Sequence, residues 1–159
     1  LGMNLPIYGV ERTHNSITFD SIQSDGRSKG IIESADRNKP IKFIRWLKQG
    51  KTILYAIDQD YGINSSEILS FFNIDAATIT APHKVVSSTG CKTYFLNSYF
   101  SDGLLNLSLE SLEADMSSPR NFSQSINDFI ENKIKLHPDE YLWQHRRFKS
   151  TLGKENFYK

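Results

Sequence analysis

A helical pattern followed almost at once by an apolar run most constrains what this chain can fold into. In NKPIKFIRWLKQG, Pro40 suits a first helical turn and Gly50 suits a helix end. The apolar face predicted for this helix consists of Ile41, Ile44, Trp46 and Leu47. The apolar run TILYAI (residues 52–57) follows, and after a helix such a run indicates a buried strand in a sheet covered on both faces. The sequence therefore predicts an α/β fold.

Weaker signals flank this helix and strand. Residues 6–12 (PIYGVER) predict a short strand, and residues 19–30, rich in Ser, Asp and Gly, predict a loop or a frayed helix. EILSFF, after the apolar run, is a second short apolar element. TAPHKVVSSTG predicts a short helix, with Pro82 early and Gly90 as its cap.

The second half of the chain has an antiparallel character. KTYFLNSYF and LLNLSLESL flank residues 101–103 (Ser-Asp-Gly), which predicts a hairpin. Because Leu105, Leu107 and Leu109 alternate with polar residues, one face of this hairpin is expected to be solvated. Together with the helix and buried strand predicted over residues 40–57, which are typical of a parallel sheet, the hairpin predicts a mixed sheet flanked by helices.

Two further helices are predicted near the C-terminal end. The first starts near Asn121, with Gln124 three residues later as a capping-box partner. Its buried stripe is predicted to be Ile126, Phe129, Ile130 and Ile134. A last short helix is predicted from Pro138, where Asp139 and Glu140 suit the positive end of the helix dipole.

Composition narrows the classes of function. The chain has 159 residues and a formal net charge of +1, so a general electrostatic attraction to nucleic acid is not expected. Cys91 is the single cysteine, which excludes an intrachain disulfide and a cysteine-based zinc site. No run of 18 apolar residues occurs that could cross a bilayer.

The stretch DQDYG has the strongest chemical character. Asp58 and Asp60 follow the predicted strand, at the strand end where α/β folds place ligands. A D-x-D pair can bind a divalent cation on a diphosphate, orient a basic partner, or cap backbone amides in an ordinary acidic loop. An EF-hand is excluded, because Gly62 comes one position early and Leu69 stands at the twelfth position.

Basic and histidine residues offer further candidates. Arg12 ends a predicted strand, where it can bind phosphate, stabilise an oxyanion or form a surface ion pair. The four histidines have no metal-ligand spacing to a carboxylate or thiolate. In YLWQHRRFK, aromatic residues stand beside Arg146, Arg147 and Lys149. This mixture suits a membrane interface, base stacking, or core aromatics at the root of a basic helix tip.

Taken together, four ordered blocks resemble the lipid A biosynthesis lauroyl/myristoyl acyltransferases of Gram-negative bacteria. The blocks are IYGVERTHN, IKFIRWLKQGKTILYAIDQDYG, FFNIDAATIT and PDEYLWQHRRFK. Their order and spacing match the family as well as their residues do, and the likeness extends over essentially the whole chain. The resemblance implies a glycerolipid-acyltransferase-like α/β fold and an enzyme of lipopolysaccharide biosynthesis.

One feature of the family is missing from this sequence. Its catalytic dyad is an H-x4-D/E motif, in which the histidine is the general base. The fifth residues after His14, His83, His137 and His145 are Phe19, Ser88, Leu142 and Ser150, none of which is acidic. We therefore expect residues 1–159 to be the C-terminal portion of a single acyltransferase domain whose N-terminal part is missing. As a fragment without the dyad and the family's membrane helix, it is expected to be inactive alone.

The resemblance also implies roles for particular residues. Arg12 would contact the oxyanion or a phosphate, and Asp58 and Asp60 would shape and polarise the catalytic site. The substrate-binding cations would be Arg146, Arg147 and Lys149, facing anionic lipid head groups. The acyl donor would be acyl carrier protein and the acceptor a hydroxyl of a lipid A precursor. The location would be the cytoplasmic face of the bacterial inner membrane, and no metal or organic cofactor would be needed.

Two alternatives remain at the level of sequence. A metal-dependent nucleotide-sugar glycosyltransferase would use Asp58 and Asp60 to bind manganese or magnesium, although the chain has no clear nucleotide-binding signature. A non-catalytic lipid-binding fragment would keep the basic C-terminal cluster without turnover.

Overall fold

The computed structural model describes residues 5–12 and 16–153, and His14 lies outside them. The chain divides into two compact units, Leu1–Ala56 and Ile57–Lys159. The predicted α/β class is confirmed, with parallel and antiparallel strands in separate small sheets among the described residues. No helix of residues 5–12 or 16–153 has both the length and the apolar character needed to cross a bilayer.

The first unit is built on parallel strands. Its elements are β1 (Ile7–Glu11), α1 (Ile17–Ser28), β2 (Ser34–Asp36), α2 (Pro40–Lys48) and β3 (Thr52–Tyr55). The strand order is β2-β1-β3, and β1 runs parallel to both neighbours. Parallel neighbours require crossover connections, which α1 and α2 supply. The segment predicted as a loop or frayed helix is thus α1, a helix without a buried residue.

The expectation that the apolar run is buried on both faces is wrong. β3 is an outer strand of this sheet, with Thr52 and Leu54 exposed and Ile53 and Tyr55 half-buried. The buried strand is instead β1, whose central position places Ile7 and Val10 in the core. Strand order depends on contacts between distant segments, so an apolar run alone does not reveal it.

Helix α2 forms where it was predicted, and its inward face is confirmed for Trp46, with Ile44 and Leu47 half-buried, but not for Ile41. Phe43 and Trp46 are buried, whereas Ile41 is 73% exposed. The ring centroid of Trp46 lies 4.8 Å from that of Tyr8 on β1. The buried side chains of Phe43 and Trp46 therefore form the face of α2 that packs on the sheet.

The second unit contains two hairpins and two helices within its described residues. They are β4 (Ser66–Phe71), β5 (Ile74–Ile79), α3 (Ala81–Thr89), β6 (Tyr94–Ser101), β7 (Leu104–Ser111) and α4 (Pro119–Leu136). Both hairpins close through two residues of positive φ, which suits the right-handed twist of the strands. These residues are Phe72 and Asn73 in the first hairpin and Asp102 and Gly103 in the second.

Helix α4 forms the core of this unit with the first hairpin. Ser118 caps its start, two residues earlier than expected, by accepting a 3.0 Å hydrogen bond from the amide of Asn121. Gln124 is not a capping partner, because its amide clamps the backbone of Ser70 on β4 through two 3.1 Å hydrogen bonds. The buried cluster comprises Phe71, Ala76, Phe122, Ile126, Ile130, Ile134 and Phe148.

The predicted last helix is wrong, because the chain after α4 runs through successive turns up to residue 153. Arg147 and Phe148 are both buried at consecutive positions. The Arg147 guanidinium reaches the carbonyl of Ala77 on β5, while the Phe148 ring lies 6.1 Å from that of Phe71.

Candidate functional site

A polar cavity of about 200 Å³ surrounds Arg12 in the first unit. Its lining residues are Glu11, Arg12, Asp20, Gln23, Ser24, Arg27, Ser34 and Asp36. Arg12 directly follows β1, and Asp36 ends the parallel neighbour β2. The carboxyl ends of parallel strands are where α/β folds bind ligands. Arg12 therefore lies at an edge of the sheet that suits an anionic group.

The same cavity carries Glu11 and Asp20, which the sequence offered as ion-pair partners of Arg12, and also Asp36, which it did not single out. Glu11 forms an ion pair with Arg27, and an Asp36 carboxylate oxygen accepts a 2.7 Å hydrogen bond from the amide of Asn38. Asp20, on the first turn of α1, completes the acidic lining. The position of Asp36 in the sequence gives no sign of this meeting, because the parallel crossover brings it there.

Asp60 fastens the C-terminal segment to the DQDYG loop in the second unit. It is 4% exposed, and its carboxylate oxygens accept hydrogen bonds from the amide and hydroxyl of Ser150, at 2.9 and 2.8 Å. The amide of Gly62 donates a third at 2.8 Å, and Lys149 Nζ donates to the Asp60 carbonyl at 2.8 Å. These bonds already occupy the carboxylate, so it is a poor ligand for a cation.

No group of three or more His, Cys, Asp or Glu side chains suited to a metal ion occurs among the described residues. The pair Asp58 and Asp60 therefore does not assemble with further acidic ligands in that part of the chain. With the Asp60 carboxylate committed to Ser150, nothing in this loop favours the metal-dependent glycosyltransferase.

His145 is a functional candidate that sequence reasoning left among ordinary histidines. Its Nε2 atom is buried and makes no hydrogen bond within the part of the chain that the structure describes. Burial lowers the pKa of His145 below its ordinary value of 6.5. Asp58 favours the charged ring more strongly than Asp60 does, and Lys149 and Arg147 oppose it. Of the two carboxylates in the D-x-D pair, Asp58 thus has the stronger electrostatic interaction with His145.

Aromatic side chains surround His145 in an apolar pocket of about 300 Å³. Its lining residues are Phe71, Phe72, Ile74, Tyr141, Trp143, His145, Arg147 and Phe148. Trp143 is held at its rim by a 2.6 Å hydrogen bond from Nε1 to the carbonyl of Pro138. The aromatics of the C-terminal segment therefore pack around a pocket and do not project from a helix.

The predicted basic cluster does not act as one unit. Arg147 is 3% exposed, so the expectation that it meets lipid head groups is wrong. It donates to the carbonyl of Ala77 at 2.7 Å, to Thr78 Oγ1 at 2.8 Å and to Asn127 Oδ1 at 3.3 Å. A guanidinium has enough donors for all three acceptors, whose burial would otherwise be costly.

The other two cations are more accessible. Arg146 is exposed, and Lys149 is half-buried with its ammonium on the Asp60 carbonyl. Only Arg146 thus presents its side chain mainly to solvent among the three predicted lipid-binding residues. Arg147 is bonded in the interior to Thr78 and Asn127. The sequence gives only one sign of these two partners, which is that each is a polar residue within an apolar pattern.

His145 predicts a distinct dependence of stability on pH. Since the folded chain favours the neutral ring, unfolding takes up a proton between the lowered pKa and 6.5. This contribution to stability is present above 6.5 and is lost as the pH falls from there through the lowered pKa. We expect His145→Gln to flatten the decline in unfolding free energy between about pH 7.5 and about pH 5, measured by urea denaturation.

A change of the exposed neighbour Gln144 to alanine is the matched control, because it removes no titratable group. The control should keep the parental pH profile. Parallel profiles for His145→Gln and the parent would contradict this account of the histidine.

Comparison with known proteins identifies the family. The family model described as bacterial lipid A biosynthesis acyltransferase matches residues 2–150. The lipid A biosynthesis lauroyltransferase of Escherichia coli K12 is 32% identical over 94% of this chain and 50% of its own length. The palmitoleoyltransferase of the same organism is 28% identical over 99% of this chain and 53% of its own length. An acyltransferase of lipid A biosynthesis from Haemophilus influenzae is 28% identical over 94% of this chain and 50% of its own length.

This chain belongs to the bacterial lipid A biosynthesis acyltransferase family, as its four sequence blocks predicted. The family is one of acyltransferases, and the α/β fold is consistent with it. The chain spans about half the length of the curated relatives that it matches.

Proposed function

We propose that this chain is part of an enzyme that moves a fatty acyl chain from acyl carrier protein to a hydroxyl of a lipid A precursor. The observation that carries the proposal is the family match over residues 2–150, supported by relatives named for lauroyl and palmitoleoyl transfer in lipid A biosynthesis. The enzyme acts at the cytoplasmic face of the inner membrane, where the acyl carrier protein and the lipid acceptor meet.

Direct acyl transfer requires a base, an oxyanion donor and a place for each substrate. Arg12 donates hydrogen bonds to the oxyanion or to a phosphate, because its cavity lies at the ligand-binding edge of a parallel sheet. In the second unit, Asp58 polarises the surroundings of His145, and Asp60 holds its own loop to Ser150. No histidine of this sequence has the family's spacing to a carboxylate, so we assign no general base within the chain.

Anionic lipid head groups are contacted by Arg146 and Lys149. Arg146 is exposed, and Lys149 keeps part of its side chain accessible. A cation near an anionic surface contributes about 1 kcal/mol to binding at moderate salt. The pair thus aids association with the membrane but does not anchor the enzyme there by itself.

The test is acyl transfer by the purified full-length product of the gene that encodes this chain. Acyl carrier protein loaded with lauroyl, myristoyl or palmitoleoyl chains is mixed with a detergent-dispersed lipid A precursor, and the product is weighed by mass spectrometry. We expect a mass increase of one acyl chain with at least one donor. Carrier protein without an acyl chain is the control. Absence of transfer with every donor would contradict the proposal.

A further inference from the structure

The β6–β7 hairpin of the second unit is packed with its apolar side outward. In its register, Phe100 lies opposite Leu105, Ser98 opposite Leu107 and Leu96 opposite Leu109, so these side chains share one face. The large apolar residues of this surface, called the leucine face below, are Tyr94, Leu96, Phe100, Leu105, Leu107 and Leu109. Except for the half-buried Leu96, each is at least 50% exposed. This reverses the expected burial of an amphipathic hairpin.

The opposite face is fixed against α4 and the turn that follows it. The rings of Phe95 and Phe129 lie 4.9 Å apart. Lys133 Nζ lies 2.7 and 2.5 Å from the two carboxylate oxygens of Glu110. Tyr99 stacks on His137 with ring centroids 4.0 Å apart. A shift of one residue would be needed to turn the leucines inward, and it would break all of these contacts.

An apolar medium accounts for this arrangement better than water does. The leucine face carries no charged side chain, and Ser98 is the one polar residue among the paired positions 96, 98, 100, 105, 107 and 109. Contiguous exposed apolar patches on soluble proteins generally mark sites of interaction. The face is therefore a contact surface.

The composition of the face favours lipid over protein. Protein interfaces rely on Trp, Tyr and Arg at their centres and on a polar rim that supplies hydrogen bonds, and leucine is under-represented among their hot spots. Here three leucines form a row on an open two-stranded ribbon, with Tyr94 at one end. Tyrosine is typical of the boundary between hydrocarbon and water.

The turn after α4 meets the same hairpin near its tip, where Glu140 accepts a 2.9 Å hydrogen bond from the amide of Phe100. The leucine face itself carries no charge, so contact with hydrocarbon is what its composition suits.

We propose that the leucine face lies on the membrane surface, with its side chains in the acyl-chain region of a phospholipid bilayer. The choice of lipid rests on the proposed function, whose acceptor is itself a lipid. Only side chains enter the hydrocarbon, because β6 and β7 pair with no further strand among the described residues. Apart from the Phe100 amide, which Glu140 accepts, their outer edges need water or head groups as hydrogen-bond partners.

The test compares two triple variants of the full-length gene product by sedimentation with phosphatidylethanolamine–phosphatidylglycerol vesicles. Leu105→Ser, Leu107→Ser and Leu109→Ser together remove the row. The matched control changes Ile63, Leu136 and Leu142 to serine, which are also more than half exposed but lie elsewhere in the unit. We expect the first variant to lose on the order of a hundredfold in vesicle partition and the control to change by less than about threefold.

A second readout reports insertion directly. Tryptophan placed by Leu107→Trp should gain fluorescence that vesicles with brominated acyl chains quench, whereas Leu142→Trp should not. Both variants should keep the parental circular dichroism. Acyl transfer to detergent-dispersed precursor should survive the triple change, because that assay needs no vesicle surface.

Several outcomes would overturn the proposal. They are unchanged vesicle binding by the leucine variant, equal loss by the control, or absence of quenching at position 107. Conversion of an oligomer to a monomer without loss of vesicle binding would assign the face to a second copy of the chain. Because vesicle binding is measured without turnover, failure of the proposed acyl transfer would be seen separately.

Discussion

Replacing Arg12 with alanine in the full-length gene product is expected to lower kcat for acyl transfer by about 10²–10³-fold. The physical reason is that charge develops on the carbonyl oxygen as the hydroxyl attacks. In the proposed mechanism Arg12 supplies fixed hydrogen-bond donors to this oxygen, from its position at the carboxyl edge of the parallel sheet. Arg12→Lys keeps the charge but loses the planar fork, so an intermediate kcat is expected. Steady-state kinetics on the lipid A precursor measures both variants.

The matched control for this prediction is Arg45→Ala. Arg45 is an exposed arginine on α2 in the same unit and does not line the Arg12 cavity. Its removal should leave kcat and KM unchanged. A higher KM with unchanged kcat for Arg12→Ala would assign Arg12 to phosphate binding in the ground state and reject the oxyanion role. Parental kinetics would reject both roles.

The second large effect is expected on stability. Arg147→Met should lower the free energy of unfolding by about 3 kcal/mol, because it leaves buried acceptors on β5 and α4 without their donor. Those acceptors are the carbonyl of Ala77 and Asn127 Oδ1, while Thr78 Oγ1 loses one donor and keeps the 3.1 Å hydrogen bond from Asn127 Nδ2. The substitution also removes the cation–π interaction of the guanidinium, whose central carbon lies 5.0 Å from the centre of the Phe71 ring. Urea denaturation followed by circular dichroism measures the change.

Arg146→Met provides the neighbouring control. Arg146 is exposed, and surface substitutions usually change stability by less than about 0.5 kcal/mol. Arg147→Lys should be destabilising as well, since an ammonium cannot reach three acceptors in the geometry of a guanidinium. Equal effects at positions 146 and 147 would contradict the buried role of Arg147.

Local signals in the sequence were sufficient for much of the secondary structure. Helix α2 and helix α3 form where Pro40 and Gly90 indicated, and the second hairpin turns at Asp102 and Gly103. Each of these signals acts within a few residues, through the fixed φ of proline or the left-handed conformation that turns require. The burial of individual side chains was predicted less well from the sequence, because it depends on which strand becomes central and which hairpin face meets α4.

The positions of the candidate site residues divide in the same way. The place of Arg12 at the end of a strand was predicted from the sequence, because it is a local property. The clasp between Asp60 and Ser150 joins residues 90 positions apart, and the bond from Arg147 to Ala77 spans 70. A basic run in the sequence gives no sign that one arginine is buried against a strand and its neighbour is exposed.

The most direct measurement of the central claim is the mass of lipid A from the organism that encodes this chain, before and after deletion of its gene. The account predicts that deletion yields lipid A lacking one fatty acyl chain, and that the restored parental gene returns it. The gene carrying Arg12→Ala should restore it poorly. Lipid A that keeps its full set of acyl chains after deletion would contradict the assignment of this protein to lipid A acylation.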